Sequence, residues 1–419
     1  MAASEGTILD DFRLRKVSRV LDIFPWYGQL IADYVSDSTE IRSFSQLPLL
    51  TSELLEQHYY QPDPPFEPQL QLNTTFYRTS GTSSLRRKTI YYSEEDELNY
   101  IRIKSDIFRR ILLNSGVVTA LSDMGTGHAA STAPEIFTSI GMSVESIDFR
   151  QPIGLHIDKL REFRPHVLYT MPSILDHILS SSAEDPASYG IRQVILVGES
   201  ASPAWLRSVS ERLRLAETDI TDTYGSIEIG TIAYYSHDHG RYLFAEGIEA
   251  EGVSAETLFP DMDPLSDGES VLVLSSYVRD LFPALRYVTY DIVRDLRPIL
   301  VDGQWTQSFQ AIVGRIGPDL KHGEKISVYD IEDVVYRHLR EAKVRIRVSG
   351  NKLTVLIDSE NKSPEIYSGI ERDLLERIPE IGIMIRGGML DALRVIPSEV
   401  IFEGSVLKHK RIFYDREGE

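Results

Sequence analysis

A chain of 419 residues, 42% hydrophobic and 26% charged, can bury a large core and most simply makes two domains. Its formal net charge of −19 repels phosphate backbones and anionic lipid surfaces at long range, which argues against a general polynucleotide or membrane binder. Zero cysteines exclude disulfides, a thiol nucleophile, thiolate zinc sites and iron–sulfur clusters, leaving oxygen and nitrogen groups or a hard metal ion to do any chemistry. No apolar run nears the roughly 20 residues of a membrane span, and the first five residues lack the basic and apolar parts of a signal peptide. The expectation is a soluble, cytoplasmic protein.

In chain order, the first stretch with chemical character is Thr79-Ser80-Gly81-Thr82-Ser83-Ser84, followed by Arg86, Arg87 and Lys88. Glycine and small hydroxyl residues let backbone N–H groups approach phosphate oxygens, and the cations neutralise them. The run lacks the Gly-x-x-x-x-Gly-Lys-Ser/Thr spacing of a P-loop. Helix periodicity over Leu98–Ser115 precedes a strand at 117–121, a helix from Pro134 to Met142 and a strand from Ser143 to Phe149. A helix at 157–163, a strand at 166–170, a helix at 173–182, a strand at 193–197 and a helix at 203–214 follow. This alternation predicts an α/β fold with a mainly parallel sheet and its sites at strand ends.

From Gly268 the texture shortens into β-rich pieces at 270–276, 285–289 and 310–313, expected to form a β-subdomain. Glycines and a proline in Val313-Gly314-Arg315-Ile316-Gly317-Pro318 break the pattern, so the domain boundary is placed there: residues 1–314, then a small α+β domain over 315–419. In that small domain, helices are expected at 328–340 and 364–378, with strands at 344–349, 353–358 and 393–396. His237-Asp238-His239 reads as a polar turn without a matching third metal ligand. Gly198-Glu199-Ser200-Ala201-Ser202 lacks the closing glycine of a nucleophile elbow.

Four further runs complete a pattern: Asp222-Thr223-Tyr224-Gly225-Ser226-Ile227-Glu228, Arg286-Tyr287-Val288-Thr289-Tyr290-Asp291, Gly314-Arg315 leading to Lys321, and Lys408-His409-Lys410-Arg411. With the hydroxyl loop, and in this order, they resemble the adenylate-forming superfamily of acyl-CoA synthetases, adenylation domains and luciferases. The compact length, Leu47-Pro48-Leu49-Leu50-Thr51 and Met171-Pro172-Ser173 point to its phenylacetate–CoA ligase-like branch. The likeness spans nearly the whole chain.

The resemblance implies activation of a small carboxylic acid by ATP and Mg²⁺ as an acyl-adenylate, with release of pyrophosphate. Acyl transfer to coenzyme A would follow, or to a carrier-protein thiol or an amine; a repurposed nucleotide-binding member is a further alternative. It implies that Thr79, Ser80, Gly81, Thr82 and Ser83 hold the β- and γ-phosphates, with Arg86, Arg87 or Lys88 as countercharge and Thr82 beside the metal. Glu228 would hold Mg²⁺, Tyr224 would pack near adenine, and Asp291 would accept the ribose hydroxyls. Asp222, Gly225, Ser226, Gly198, Glu199 and Lys321 would line the nucleotide site, and Arg315 its ribose–phosphate end. Lys408, or in second place Lys410, would be the mobile catalytic lysine. The acid pocket would draw on His128, Tyr169, Met171, Pro172 and Ser200. The small domain is expected to be mobile, rotating about the segment after Gly314-Arg315. A homodimer is the oligomer allowed for, with neither nucleic acid nor membrane as partner. The family's usual glycine before the ribose aspartate is Tyr290 here, and Pro318 follows Gly317 in the expected hinge.

Overall fold

In a computed structural model, the described residues are 11–34, 46–66, 73–78, 88–113, 115–124, 128–199, 201–260, 262, 264–316, 328–339, 342–349, 352–378, 381–382, 385, 391–398 and 412–415. The chain forms an α/β structure with mixed sheets, divided into two compact units: residues 1–111 with 224–311, and residues 112–223 with 312–419. No helix among the described residues is long and apolar enough to cross a membrane.

The second unit holds the parallel strands. Ser143–Ser146, Thr119–Asp123, Val167–Thr170, Gln193–Val197 and Ile220–Ser226 lie side by side in that order, every neighbouring pair parallel. Val167–Thr170 is buried throughout, as a strand covered on both faces requires. The connecting helices are His128–Ser139, Ile153–Phe163, Pro172–Ser181 and Pro203–Leu213. Sequence reasoning starts the first of these at Pro134; it starts six residues earlier, with Pro134 inside it. The strand expected to reach Phe149 ends at Ser146.

At the end of the Thr119–Asp123 strand, the Asp123 carboxylate meets His156 Nδ1 at 2.8 Å, and His156 Nε2 lies 3.2 Å from the Gln151 carbonyl. Both side chains are buried. Each ring nitrogen therefore faces an acceptor, an arrangement that an imidazolium satisfies with two donors. Burial opposes that charge, but the bond and charge of Asp123 outweigh it and hold the ring above its usual pKa; burial pushes the Asp123 carboxyl upward in turn.

The same unit contains the α+β module near the C-terminus. Lys343–Ser349 and Lys352–Asp358 pair antiparallel, flanked by the parallel strands Ile412–Asp415 and Ala392–Pro397. Their inward residues Ile346, Val355 and Ile357 pack with Ile331, Val334 and Val335 of helix Val328–His338 and with Ile370 and Leu374 of helix Pro364–Arg377. Within this unit, Arg207 of the Pro203–Leu213 helix lies 3.5 Å from Asp333.

The first unit is mainly antiparallel. Gly230–Ser236, Arg241–Phe244, Gln304–Phe309 and Arg297–Val301 form a meander with the longer crossing between its second and third strands. Ile248–Val253, Glu269–Ser276 and Tyr287–Arg294 form a second antiparallel group. Thr74–Arg78 pairs with Thr89–Ser93, which runs directly into helix Glu94–Ile111. The strand expected at 285–289 spans 287–294 instead, and the strands between 230 and 253 were not anticipated.

The His156 pair gives a signed pH dependence. The folded chain raises the histidine pKa, so the contribution is complete below the unfolded value of about 6.5 and is lost as pH rises through the raised folded value. Urea unfolding of the native protein and of His156→Gln should show a stability gap that is full below about pH 6 and narrows as pH rises above the ordinary histidine value of about 6.5. A gap that stays constant would contradict an imidazolium at this position.

Candidate nucleotide and acid site

In the first unit, the strand Tyr287–Arg294 does not run evenly beside its neighbour. Its pairing moves from Ile292 to Val288 while the partner moves only from Val271 to Val273, so two additional residues bulge from the ladder. Tyr290 sits in that bulge at φ 64°, the left-handed region that a bulky side chain enters at a cost of about 1–2 kcal/mol. This explains why a glycine suits the position. Here the tyrosine is retained by its hydroxyl, which accepts from the Ser52 backbone N–H at 2.9 Å and lies 3.0 Å from Ser52 Oγ. It also donates to Glu53 at 3.3 Å. These contacts join the bulge to the start of helix Ser52–His58.

A bulge re-aims the side chain beside it, and the next residue is Asp291. Its backbone N–H donates to Thr289 Oγ1 at 3.1 Å, and its carboxylate accepts the Tyr224 hydroxyl at 2.5 Å. The Tyr224 ring meets Phe309 edge-on at 6.1 Å, and Phe309 stacks on Tyr242. Thus the structure brings together two residues that lie far apart in sequence, Tyr224 and Asp291. One carboxylate oxygen holds the tyrosine, and a carboxylate can accept several hydrogen bonds across its two oxygens, the capacity a vicinal diol calls on.

Past Tyr224 the chain turns sharply. A Cβ on Gly225 would fall 2.6 Å from the Gly230 carbonyl oxygen, so only glycine permits this approach. Glu228 lies half-buried in the turn, and no hydrogen bond or ion pair engages its carboxylate among the described residues. Those residues include no cluster of three or more metal-ligating side chains. A single carboxylate is nevertheless a sufficient protein anchor for Mg²⁺, which takes its remaining ligands from phosphate oxygens and water. Residues Tyr224, Glu228 and Asp291 therefore fit a magnesium–nucleotide.

Lys88 is the one member of the hydroxyl and cation run among the described residues. Its ammonium pairs with Glu56 at 2.8 Å and stands 4.4 Å from the Tyr60 ring centre. Thr79, Ser80, Gly81, Thr82, Ser83, Arg86 and Arg87 lie outside the described residues, as do Ser200, Lys321, Lys408 and Lys410.

In the second unit, Gly198 follows the Gln193–Val197 strand at φ 80°. The Glu199 carboxylate accepts from the Ser173 backbone N–H and from its hydroxyl, both at 2.9 Å. This places a negative charge at the N-terminal turn of helix Pro172–Ser181, where the helix dipole favours it. Sequence reasoning assigned Glu199 to the nucleotide without seeing this partner. Met171 and Pro172 are buried at the start of that helix, and Tyr169 is fully buried against Phe137. His128 is buried as the first residue of its helix, and its carbonyl accepts from Thr132 Oγ1 at 2.7 Å. Asp222 is buried in register with Leu196, Ser226 ends the same strand and its hydroxyl accepts from the Ile229 N–H at 3.2 Å, and Arg315 ends the strand Ala311–Arg315, exposed.

A family model described as the C-terminal domain of fumarate–diaminopropanoate ligase matches residues 321–400. A fumarate–(S)-2,3-diaminopropanoate ligase from Enterobacter agglomerans is 37% identical over 379 residues, covering 90% of this chain and 93% of that protein. Among solved structures, 2-hydroxyisobutyryl-CoA ligase in its postadenylation state, bound to an acyl-AMP adduct, superposes with a TM-score of 0.73 at 15% identity, over 97% of this chain and 88% of that one. A benzoate CoA ligase from Burkholderia xenovorans LB400 gives 0.50 at 15% identity, over 76% and 64%.

The Gly225 approach is testable without any ligand. Gly225→Ala should lower unfolding free energy by about 1–3 kcal/mol, since the added methyl meets backbone rather than a movable side chain. Urea unfolding with an unchanged midpoint would contradict the close approach.

Proposed function

Because the chain belongs to the adenylate-forming superfamily, in the family of the fumarate–(S)-2,3-diaminopropanoate ligase, we propose that it joins a small carboxylic acid to an amine at the expense of ATP. A carboxylate oxygen attacks the α-phosphorus of Mg·ATP and pyrophosphate leaves, giving an acyl-adenylate. The amine nitrogen then attacks the acyl carbon, AMP departs with one of the original carboxylate oxygens, and the nitrogen loses a proton to leave an amide. The enzyme's share is to position these charged groups and stabilise the charge that builds between them.

The observation that carries this reading is the 37% identity over nine-tenths of both chains with a ligase named for fumarate and a diamino acid. It favours an unsaturated dicarboxylic acid as the acid and an amino acid bearing a second amine as the acceptor. Coenzyme A, the first expectation from sequence, ranks behind the amine, since the coenzyme A ligases match at 15% identity and speak for the fold. Within the site, Asp291 is assigned to the ribose hydroxyls, Tyr224 to the adenine, Glu228 to Mg²⁺, and the hydroxyl run from Thr79 to the phosphates. Lys408 or Lys410 supplies the cation for the developing charge. The boundary near residue 314 separates the portion that binds nucleotide and acid from the small domain that carries this lysine.

The test is carboxylate-dependent exchange of pyrophosphate into ATP, with fumarate beside aryl, alkyl and other dicarboxylic acids, followed by product analysis with 2,3-diaminopropanoate or coenzyme A as acceptor. Fumarate-dependent exchange and amide formation are expected. Asp291→Ala and Glu228→Ala should each lower the exchange rate by about a hundredfold or more. Exchange unaffected by both substitutions would overturn the site, and a thioester in place of the amide would overturn the acceptor.

A further inference from the structure

The Glu228 turn is held from behind by a buried polar hub. Arg279 Nε donates to the Glu228 carbonyl at 3.1 Å, one terminal nitrogen to Asp96 at 2.5 Å and the other to the Tyr91 carbonyl at 2.5 Å. Its guanidinium carbon stands 3.7 Å from the Tyr92 ring centre. The Tyr92 hydroxyl in turn donates to the Ile227 carbonyl at 2.7 Å. Two successive carbonyls of the turn are thereby fixed, one by Tyr92 and one by Arg279, while the Glu228 carboxylate itself is left to other partners. Arg279 and Asp96 are each 2% exposed, so neither can be replaced by solvent.

We propose that Tyr92 and Arg279 are positioning residues for Glu228, setting where its carboxylate meets the magnesium–nucleotide. This rests on Glu228 as the metal-binding carboxylate. A carboxylate that supplies the single protein ligand to Mg²⁺ must stand at a fixed distance from the phosphates, because this ion tolerates little departure from octahedral geometry. Its own side chain has three rotatable bonds, so the backbone beneath it must not move as well. Tyr92 is followed by Ser93, the last residue of its strand, and Ser93 exchanges hydrogen bonds with Asp96 at the start of helix Glu94–Ile111, so the hub ties the turn to the strand that leaves the hydroxyl and cation run.

The experiment measures metal binding, not turnover. Mn²⁺ is titrated into the full-length protein with a non-hydrolysable ATP analogue, and bound ion is read by electron paramagnetic resonance, for native protein, Tyr92→Phe, Arg279→Lys and Glu228→Gln. Tyr92→Phe removes the hydroxyl that donates to the Ile227 carbonyl and keeps the ring under the guanidinium, and thermal unfolding checks that the variant is folded. Both positioning variants should weaken Mn²⁺ binding about tenfold, with metal-free nucleotide affinity unchanged. Native Mn²⁺ affinity in Tyr92→Phe, with weakened binding in Glu228→Gln, would overturn the proposal and leave the metal assignment standing. Native affinity in Glu228→Gln would overturn the metal assignment and the proposal with it.

Discussion

The ion pair between Asp96 and Arg279 is the constraint on which the first unit depends. A guanidinium with almost no solvent contact survives only with its charge matched and its donors filled, and Arg279 meets both demands with Asp96, two carbonyls and an aromatic face. Burial pushes Arg279 toward losing its proton, and Asp96 reverses that push. Asp96 also accepts from the backbone N–H groups of Asp280 and Leu281, at 2.6 and 3.0 Å. It exchanges bonds with Ser93 in the reciprocal manner of a capping box at the start of helix Glu94–Ile111. Deleting either partner strands a buried charge, an effect of about 3–5 kcal/mol. One pair thus joins a strand, a helix start, the segment before Tyr287–Arg294 and the turn bearing Glu228.

The second device is backbone irregularity. The Tyr287–Arg294 strand departs from its ladder at the point where a carboxylate is to face a ligand, and Tyr290 accepts a left-handed conformation to make that departure. Three contacts from its hydroxyl to Ser52 and Glu53 offset the strain. A residue that departs from the usual glycine is therefore an alternative solution to the same backbone requirement, with a side-chain anchor where glycine has conformational freedom.

The parallel strands were legible because each is a short apolar run between amphipathic helices, as in Val194-Ile195-Leu196-Val197 before Pro203–Leu213. The helix expected from Pro134 starts at His128, because its first turns, Ala129-Ala130-Ser131-Thr132-Ala133, are small and polar residues with little apolar period. The meander at 230–309 escaped notice for a different reason. Strands such as Arg241-Tyr242-Leu243-Phe244 and Gln304–Phe309 mix polar and aromatic residues with little apolar period, and Tyr242 stacks on Phe309 from 67 positions away. The order of the motifs identified Asp291, Tyr224 and Glu228 as candidates. Nothing local pointed to Asp96 and Arg279, which meet across 183 positions: Asp96 stands in the acidic run Glu94-Glu95-Asp96-Glu97, and Arg279 is followed by Asp280.

Every role proposed for the site rests on activation of the acid by attack on the α-phosphorus of ATP. The most direct measurement is the fate of ¹⁸O from a doubly labelled carboxylate, fumarate first, in a complete reaction with ATP and the amine. Adenylation requires one labelled oxygen to leave with AMP, visible by mass spectrometry as a two-dalton increase in that product. Label in inorganic phosphate with unlabelled adenine nucleotide would mean attack at the γ-phosphorus, an acyl-phosphate intermediate, and a different use of the site built around Asp291 and Glu228.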